Sequence, residues 1–187
     1  MCGKLELIIG PMFSGKSTEL IRKINLLKTI NKKILVVKPQ IDIRYKANKI
    51  TTHNYETADC LLLDKLSDIY NKINNYDVLI IDEGQFFQDL KLTVIDLIDN
   101  YNIHVIIGGL DGDFQRNPIG DILELIPYSD KCIKLNAYCN ICKDETKAPF
   151  SFRLINSNDK VLIGGSESYV PVCRKHYLNL QNNKSIN

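Results

Sequence analysis

The sequence predicts an α/β fold, with a mostly parallel β-sheet flanked by helices, followed by a small unit of different character. Short apolar runs typical of buried strands alternate with segments whose apolar residues recur at helical spacing. A glycine-rich turn with a lysine, between Gly10 and Ser17, stands where the first strand would pass into the first helix. After Leu135 the alternation gives way to cysteines, turns and short strand-like pieces, so we place a boundary near residue 136.

Four short apolar runs predict buried strands, because each is bounded by turn residues. The first stops at Gly10, the second is closed by Pro39, and the fourth ends in Gly108-Gly109. In chain order these strands are Leu5–Ile9, Ile34–Val37, Val78–Ile81 and Ile103–Ile107.

Helices are predicted where apolar residues return every three or four positions, as in Leu20, Ile21, Ile24 and Leu27. The polar stretch Asp42–Asn54 lacks periodicity and predicts a mobile loop. The predicted helices are Ser17–Ile30, Leu63–Ile73 and Leu90–Ile98. The second unit adds a strand-like piece at Lys160–Ile163, and we expect domains at 1–135 and 136–180 with a disordered polar tail at 181–187.

Composition excludes several classes of partner. The 187 residues carry a net charge of +2 from 24 basic and 22 acidic side chains mixed along the chain, so nucleic acid is not a favoured partner. We find no apolar run near the roughly 20 residues that a membrane span requires, and no targeting peptide. We therefore expect a cytoplasmic protein without membrane contact.

The segment from Gly10 to Ser17 fits the pattern G-x-x-x-x-G-K-[ST] of a phosphate-binding loop. Small residues there let consecutive backbone N–H groups converge on phosphate oxygens at a helix N-terminus. The lysine adds a charge at the β and γ phosphates, and the serine hydroxyl is a ligand for Mg²⁺. The predicted ATP-binding residues of this loop are Gly10, Pro11, Met12, Phe13, Ser14, Gly15, Lys16 and Ser17.

Two carboxylates follow the third predicted strand, where ligands of parallel sheets bind. We expect Asp82 to face the Mg²⁺ with Ser17, and Glu83 to take a proton from an attacking oxygen. The two carboxylates do not identify the molecule that accepts the phosphoryl group, because a glutamate here activates water in an ATPase and a substrate hydroxyl in a kinase. The rings of Phe86 and Phe114 lie close enough along the chain for one of them to face the same cleft, whereas Phe87 is expected in the core.

Two chelating pairs stand about 30 residues apart, in the spacing of a zinc site. They are Cys139-x-x-Cys142 and Cys173-x-x-His176. Four protein ligands leave no open position for water, so the predicted zinc is structural. Disulfides are the less favoured alternative in a reducing compartment, and the remaining Cys2, Cys60 and Cys132 are expected to be packed thiols.

Taken together, these motifs resemble the thymidine kinase family of the cellular and poxviral type. The resemblance runs from about residue 4 to 178 with the motifs in order. It rests on Gly10–Thr18, Asp82–Phe87, Gly109–Arg116 and the two zinc pairs. The resemblance implies a P-loop NTPase fold of the RecA-like type, in which one strand separates the phosphate-loop strand from the Asp82 strand, and a C-terminal zinc-binding subdomain carrying a lasso loop.

The family's activity is transfer of the γ-phosphoryl group of Mg-ATP to the 5′-hydroxyl of thymidine in nucleotide salvage. The resemblance implies that Glu83 is the catalytic base and that Asp82, Gln85, Asp42 and Arg44 lie at the nucleotide. It also places thymidine against the following residues: Phe86, Phe114, Lys160, Val161, Leu162, Ile163, Gly164 and Tyr169.

The resemblance further implies Mg²⁺ and structural Zn²⁺ as cofactors, dTTP as a feedback inhibitor and a homotetramer. Ile119 stands where relatives often carry phenylalanine, which bears on selection between thymidine and deoxyuridine, and His176 replaces a cysteine of some relatives. Two other classes stay open from the residues alone. One is a P-loop ATPase module that moves a partner, and the other is a zinc-stabilised nucleotide sensor without catalysis.

Overall fold

The computed structural model describes residues 2–41, 49–51, 57–155 and 164–184. The strands are β1 (Lys4–Ile9), β2 (Ile34–Pro39), β3 (Lys49–Thr51), β4 (Thr57–Asp59), β5 (Leu61–Leu63), β6 (Val78–Ile81), β7 (His104–Gly109), β8 (Lys131–Lys134), β9 (Ala137–Tyr138), β10 (Lys147–Ala148), β11 (Phe150–Arg153) and β12 (Tyr169–Val172). The α-helices are α1 (Lys16–Thr29), α2 (Tyr70–Ile73), α3 (Leu90–Asp99) and α4 (Arg174–Lys184). Short 3₁₀ helices cover Leu66–Ile69, Gly84–Phe86 and Ile122–Tyr128.

Six strands form the central sheet in the order β5-β2-β6-β7-β1-β8, and all their pairings are parallel. Strand β7 lies between β1, which leads into the phosphate loop, and β6, which leads into Asp82. The predicted parallel sheet and the RecA-like strand order are therefore confirmed. Because parallel strands end at the same edge, the segments after β1, β6 and β7 meet there.

Helices cover both faces of this sheet, as the alternation of elements predicted. Strand β6 is buried at every position, which agrees with its continuous apolar run. The face toward α3 is packed with Leu7, Leu79, Ile81, Val105, Leu90, Val94 and Leu97. The face toward α1 is packed with Ile8, Ile80, Ile106, Leu20, Ile21 and Ile24. Each such side chain contributes roughly 1.5–3 kcal/mol by leaving water.

Three segments near the edges of the sheet differ from the sequence prediction. Leu63 lies in strand β5, so the helical region predicted from that residue begins only at Leu66. Part of the predicted Asp42–Asn54 loop is strand β3, which pairs antiparallel with β4. Strand β8 was not predicted at all, because three of its four residues are exposed and its apolar signal is correspondingly weak.

The C-terminal part of the chain has a separate core. Strands β9 and β10 form one antiparallel pair and β11 and β12 another, with α4 packed beside them. Their shared core contains Ala137, Cys139, Ala148, Phe152, Val170, Val172, Cys173 and Tyr177. Of the helices in the described ranges, none combines the length and apolarity needed to cross a membrane.

The polar segment expected from Gln181 starts inside a helix, because α4 continues to Lys184. The Gln181 side-chain amide donates to the Tyr177 hydroxyl at 2.9 Å, and Leu180 packs against the C-terminal core. These contacts compensate for the low apolar content of the segment.

Candidate active site

The phosphate loop joins β1 to α1 at the carboxyl edge of the sheet. Gly15 adopts a left-handed conformation with φ of 84°, which glycine takes at little cost and which turns the chain into α1. The Lys16 side chain is 8% exposed, and its ammonium donates to the Pro11 carbonyl at 2.7 Å. The Ser14 hydroxyl donates to the same carbonyl at 2.8 Å. The positive charge of Lys16 therefore lies next to the phosphate loop, where phosphate binding requires it.

Asp82, which directly follows strand β6, is hydrogen-bonded to the phosphate loop. The Ser17 hydroxyl donates to an Asp82 carboxylate oxygen at 3.4 Å, although the two residues are 65 positions apart. Asp82 is 5% exposed, and its backbone N–H donates to the Val37 carbonyl at 3.0 Å. A hydroxyl and a carboxylate are hard oxygen ligands of the kind that Mg²⁺ prefers, so this pair fits the predicted magnesium site.

Glu83 leaves the sheet in a strained turn. Its φ of 54° and ψ of 42° are left-handed, a conformation that costs a non-glycine residue of the order of 1–2 kcal/mol. The Gln85 side-chain Nε2 donates to a Glu83 carboxylate oxygen at 2.6 Å, and the Gln85 side-chain Oε1 accepts from the Leu110 N–H at 3.0 Å. The turn and the hydrogen bond hold Glu83 next to Asp82, one of the two predicted magnesium ligands.

Gln85 was predicted to contact ATP, and this stays a prediction. It is 4% exposed, and both ends of its amide are engaged within the protein. These contacts link Gln85 to Glu83 and to the loop that begins at Leu110. Phe87 is 1% exposed in the core, as predicted, whereas Phe86 is half-buried.

The loop after β7 holds Phe114 at the junction of the two parts of the chain. Asp113 organises the loop by accepting from the backbone N–H groups of Gln115 and Asn117, each at 2.8 Å. The Tyr177 hydroxyl, on α4, donates to the Phe114 carbonyl at 2.7 Å. Phe114 is half-buried.

Strand β11 contributes two residues that the sequence analysis did not single out. The Ser151 hydroxyl accepts from the Met12 N–H of the phosphate loop at 2.9 Å. The Arg153 guanidinium lies 3.7 Å from the centre of the Phe114 ring and donates to the Tyr169 hydroxyl. The available signal was the alternation Phe150-Ser-Phe-Arg153, whose period of two puts both polar residues on one face of a strand.

The four predicted zinc ligands converge in the C-terminal part. Their ligand atoms all lie within 4.8 Å of one another. The His176 Nδ1 is 3.5, 3.4 and 3.3 Å from the sulfurs of Cys139, Cys142 and Cys173. A tetrahedral zinc with ordinary bond lengths separates nitrogen and sulfur ligands by about 3.5 Å, so the cluster fits zinc.

The cysteines of the cluster are free thiols, and so are Cys2, Cys60 and Cys132. Cys2 and Cys132 are exposed, which corrects the expectation that they are packed. Burial opposes ionisation of Cys139, but the backbone N–H groups of Cys142 and Cys173 outweigh it and lower its pKa to about 6. Burial and the neighbouring thiols raise the pKa of Cys142 to about 11. A divalent cation would shift such a set toward thiolates.

Several predicted residues fall outside the described ranges. They are Asp42 and Arg44 at the nucleotide, and Lys160, Val161, Leu162 and Ile163 of the lasso. The end of the lasso is described: Gly164 is half-buried, and Tyr169 is 7% exposed with its hydroxyl against Arg153.

The fold and the site define a phosphate-loop nucleotide-binding protein with a Cys₃His cluster that could hold a metal ion. A family model described as thymidine kinase matches residues 3–177. The chain therefore belongs to the thymidine kinase family.

Individual relatives agree with this assignment. The chain is 43% identical to thymidine kinase 1 of Dictyostelium discoideum, over 97% of this chain and 81% of that protein. It is 45% identical to the thymidine kinase of Sheeppox virus (strain KS-1), over 94% of this chain and 97% of that protein. With the thymidine kinase of Oryza sativa subsp. japonica it shares 37% identity, over 96% of this chain and 68% of that protein.

Proposed function

We propose that this protein transfers the γ-phosphoryl group of Mg-ATP to the 5′-hydroxyl of thymidine, giving dTMP for nucleotide salvage. The observation that carries the proposal is the hydrogen bond between Ser17 and Asp82. It joins a phosphate loop to a carboxylate pair in which Glu83 is the next residue, so a base stands beside a phosphate site. Family membership supports thymidine as the acceptor.

In phosphoryl transfer, the protein contributes mainly by positioning the reactants and by stabilising the negative charge of the transferring group. Backbone N–H groups of Phe13–Ser17 and the Lys16 ammonium hold the triphosphate, and Glu83 accepts the proton of the 5′-hydroxyl. Ser17 and Asp82 would hold Mg²⁺, which would supply positive charge to the triphosphate. Asp42, Arg44 and Gln85 complete the nucleotide site in this proposal, and Gln85 also donates to Glu83.

Thymidine recognition is assigned to the C-terminal part, residues 136–180, beyond a domain covering 1–135. Phe114 stacks on the base with Phe86 close by, and Lys160–Gly164 and Tyr169 close over it. Peptide groups match the N3–H and carbonyl edge of thymine without a charged side chain. Zinc at Cys139, Cys142, Cys173 and His176 fastens both ends of the lasso, which lowers the entropic cost of closing it.

Assembly, regulation and location are further parts of the proposal. We infer a cytoplasmic homotetramer with dTTP as feedback inhibitor, on the strength of family membership. Two exposed apolar residues lie at the C-terminal end of α1: Leu26 in its last turn is 52% exposed, and Ile30 directly after it is 63% exposed. Such side chains suit a subunit contact.

Product analysis tests the proposal directly. Purified protein is incubated with Mg-ATP and, separately, thymidine, deoxyuridine, deoxycytidine, deoxyadenosine and deoxyguanosine, and the products are identified by mass spectrometry. We expect thymidine monophosphate with stoichiometric ADP, and none from a Lys16→Met control. The deoxyuridine reaction reports on Ile119, which is 9% exposed. ADP without any nucleoside monophosphate would favour the ATPase alternative, and ATP binding without ADP would favour the sensor.

A further inference from the structure

Arg153 is a buried cation placed between two aromatic side chains. Arg153 is 2% exposed, although it is the last residue of strand β11. The guanidinium lies 3.7 Å from the centre of the Phe114 ring and 5.4 Å from the centre of the Tyr169 ring. Its Nη2 and Nε both donate to the Tyr169 hydroxyl, at 2.9 and 3.2 Å.

The pleat of β11 explains why Arg153 reaches these rings. Phe150 and Phe152 pack on Tyr177, with ring centres 5.3 and 5.9 Å apart. Successive side chains alternate between the faces of a strand, so Ser151 and Arg153 face the other way. Ser151 accepts from the Met12 N–H of the phosphate loop, which identifies this second face as the one turned toward the active site.

Burying a guanidinium is costly unless its surroundings replace water, and a flat ring face together with a hydroxyl does so. Arginine suits the task better than lysine, because its planar fork stacks on one group while donating to another. The same atoms therefore fix the distance and angle between Phe114 on the 110–116 loop and Tyr169 on β12.

We propose that Arg153 is a positioning residue for the nucleoside, holding Phe114 and Tyr169 as the two walls of the base site. The guanidinium covers one face of the Phe114 ring and so reserves the opposite face for the base. The inference rests on the proposed function, because Phe114 and Tyr169 are its proposed base contacts. Arg153 itself touches neither the phosphates nor the reacting oxygen in this assignment.

The test compares Arg153→Met and Arg153→Lys with the wild-type protein. Thymidine affinity is measured by calorimetry, and kcat and KM are measured for both substrates. We expect the thymidine Kd and KM to rise about tenfold in Arg153→Met, the scale of a desolvated cation–π contact. The KM for ATP should stay within about twofold, because the phosphate loop is untouched. Arg153→Lys keeps the charge but loses the fork, so an intermediate rise is expected.

A double-mutant cycle separates positioning from general support of the fold. If Arg153 acts through Phe114, then Arg153→Met should change thymidine affinity much less in a Phe114→Leu background than in the wild type. The matched control is Arg174→Lys, because exposed Arg174 stacks on Phe150 at 4.9 Å and contacts neither wall of the base site. It should leave thymidine affinity unchanged.

Unchanged thymidine affinity in Arg153→Met, or equal effects in both backgrounds, would overturn the inference. Loss of zinc or of cooperative unfolding in both Arg153 variants would also overturn it, by making Arg153 a purely structural residue. The proposed function fails separately, since a wild-type protein that binds thymidine without phosphorylating it contradicts only that function and leaves the binding test intact.

Discussion

At the scale of single residues, the candidate site depends on side chains held in unusual positions by their neighbours. Glu83 has left-handed backbone angles, and Gln85 holds its carboxylate at 2.6 Å. Strain of this kind persists only where the surrounding structure enforces it, and it clusters at functional sites. Glu83 is thus fixed before any substrate arrives.

Replacing Glu83 by Gln removes the proposed base and keeps the shape of the side chain. We expect kcat to fall about 10²–10⁴-fold, the usual contribution of a general base, with ATP affinity within about twofold of the wild type. Steady-state kinetics and ATP titration measure both quantities. Glu124→Gln, an exposed glutamate paired with Lys91, is the control and should keep full activity. Retained turnover in Glu83→Gln would remove Glu83 from the base role.

Gly120 supports the same site through the backbone of Gln85. Its φ is 58°, and a Cβ there would lie 2.1 Å from the backbone carbonyl oxygen of Gln85. Gly120→Ala should therefore destabilise the protein by about 1–3 kcal/mol and lower kcat by displacing Gln85 and with it Glu83. Urea unfolding and kinetics check the two effects.

The matched control for this change is Gly112→Ala, whose added Cβ would have its nearest neighbour at 3.4 Å, an ordinary contact. Gly112→Ala should be close to neutral in urea unfolding. Equal behaviour of the two alanine variants would mean that the turn at Gly120 adapts without moving Gln85.

At the scale of elements, Asp89 connects the start of α3 to the 3₁₀ helix at Leu66–Ile69. Its carboxylate oxygens accept from the backbone N–H groups of Leu66 at 3.0 Å and Ser67 at 2.9 Å. Burial acts to raise the pKa of Asp89, but the donors from Ser67 and Leu66 outweigh burial and hold the pKa below its ordinary value. The charged form therefore stabilises the folded state.

The sign of the pH dependence follows from that direction. Because the folded pKa is depressed below the ordinary value of about 3.9, the contribution of Asp89 is complete above about pH 5 and is lost as the pH falls through the folded pKa. Asp89→Asn should cost about 1–2 kcal/mol at pH 7, and this difference from the wild type should shrink toward pH 3.

Urea unfolding of the wild type and Asp89→Asn at several pH values between 7 and 3 measures this effect. Asp64→Asn, which changes an exposed carboxylate near the same 3₁₀ helix, is the control and should unfold like the wild type throughout. A pH-independent gap between Asp89→Asn and the wild type would contradict the role of the Asp89 charge.

At the scale of the whole molecule, the two parts of the chain are tied together at the site. Ser151 accepts from Met12, Tyr177 donates to Phe114, and Arg153 lies against Phe114. All three contacts join the C-terminal core to loops at the carboxyl edge of the sheet. In the sequence, Cys142 precedes and Cys173 follows the segment that contains the lasso, so a metal held by the Cys₃His cluster should influence the nucleoside more than the phosphates.

Zinc removal tests that asymmetry. A zinc-selective chelator, used with Mg²⁺ in excess, should raise the KM for thymidine about tenfold or more while changing the KM for ATP less, because the lasso, and not the phosphate loop, lies between Cys142 and Cys173 in the sequence. Zinc content and both KM values are measured before and after adding zinc back. Equal loss of both affinities would indicate global unfolding instead.

The matched variants for this test are Cys173→Ser and Cys132→Ser. The first removes a cluster ligand and should reproduce the effect of chelation. The second changes an exposed thiol on β8 outside the cluster and should behave like the wild type.

The sequence by itself determined the features that depend only on residues close together along the chain. The phosphate loop, the two chelating pairs and the long buried strands were all predicted, because backbone turns, chelate spacing and apolar runs are local. Two errors of the sequence prediction also have local causes. The exposed edge strand β8 offers little apolar pattern, and Leu63 continues a helical spacing although it lies in β5.

Only the tertiary structure decided which of these features meet. The hydrogen bond from Ser17 to Asp82 spans 65 positions, and its existence depends on β7 separating β1 from β6 in the sheet. Arg153 became a candidate only when the pairing of β11 with β12 set it opposite Tyr169 and against Phe114. Register and packing between distant segments create these contacts, and no local pattern in one sequence encodes them.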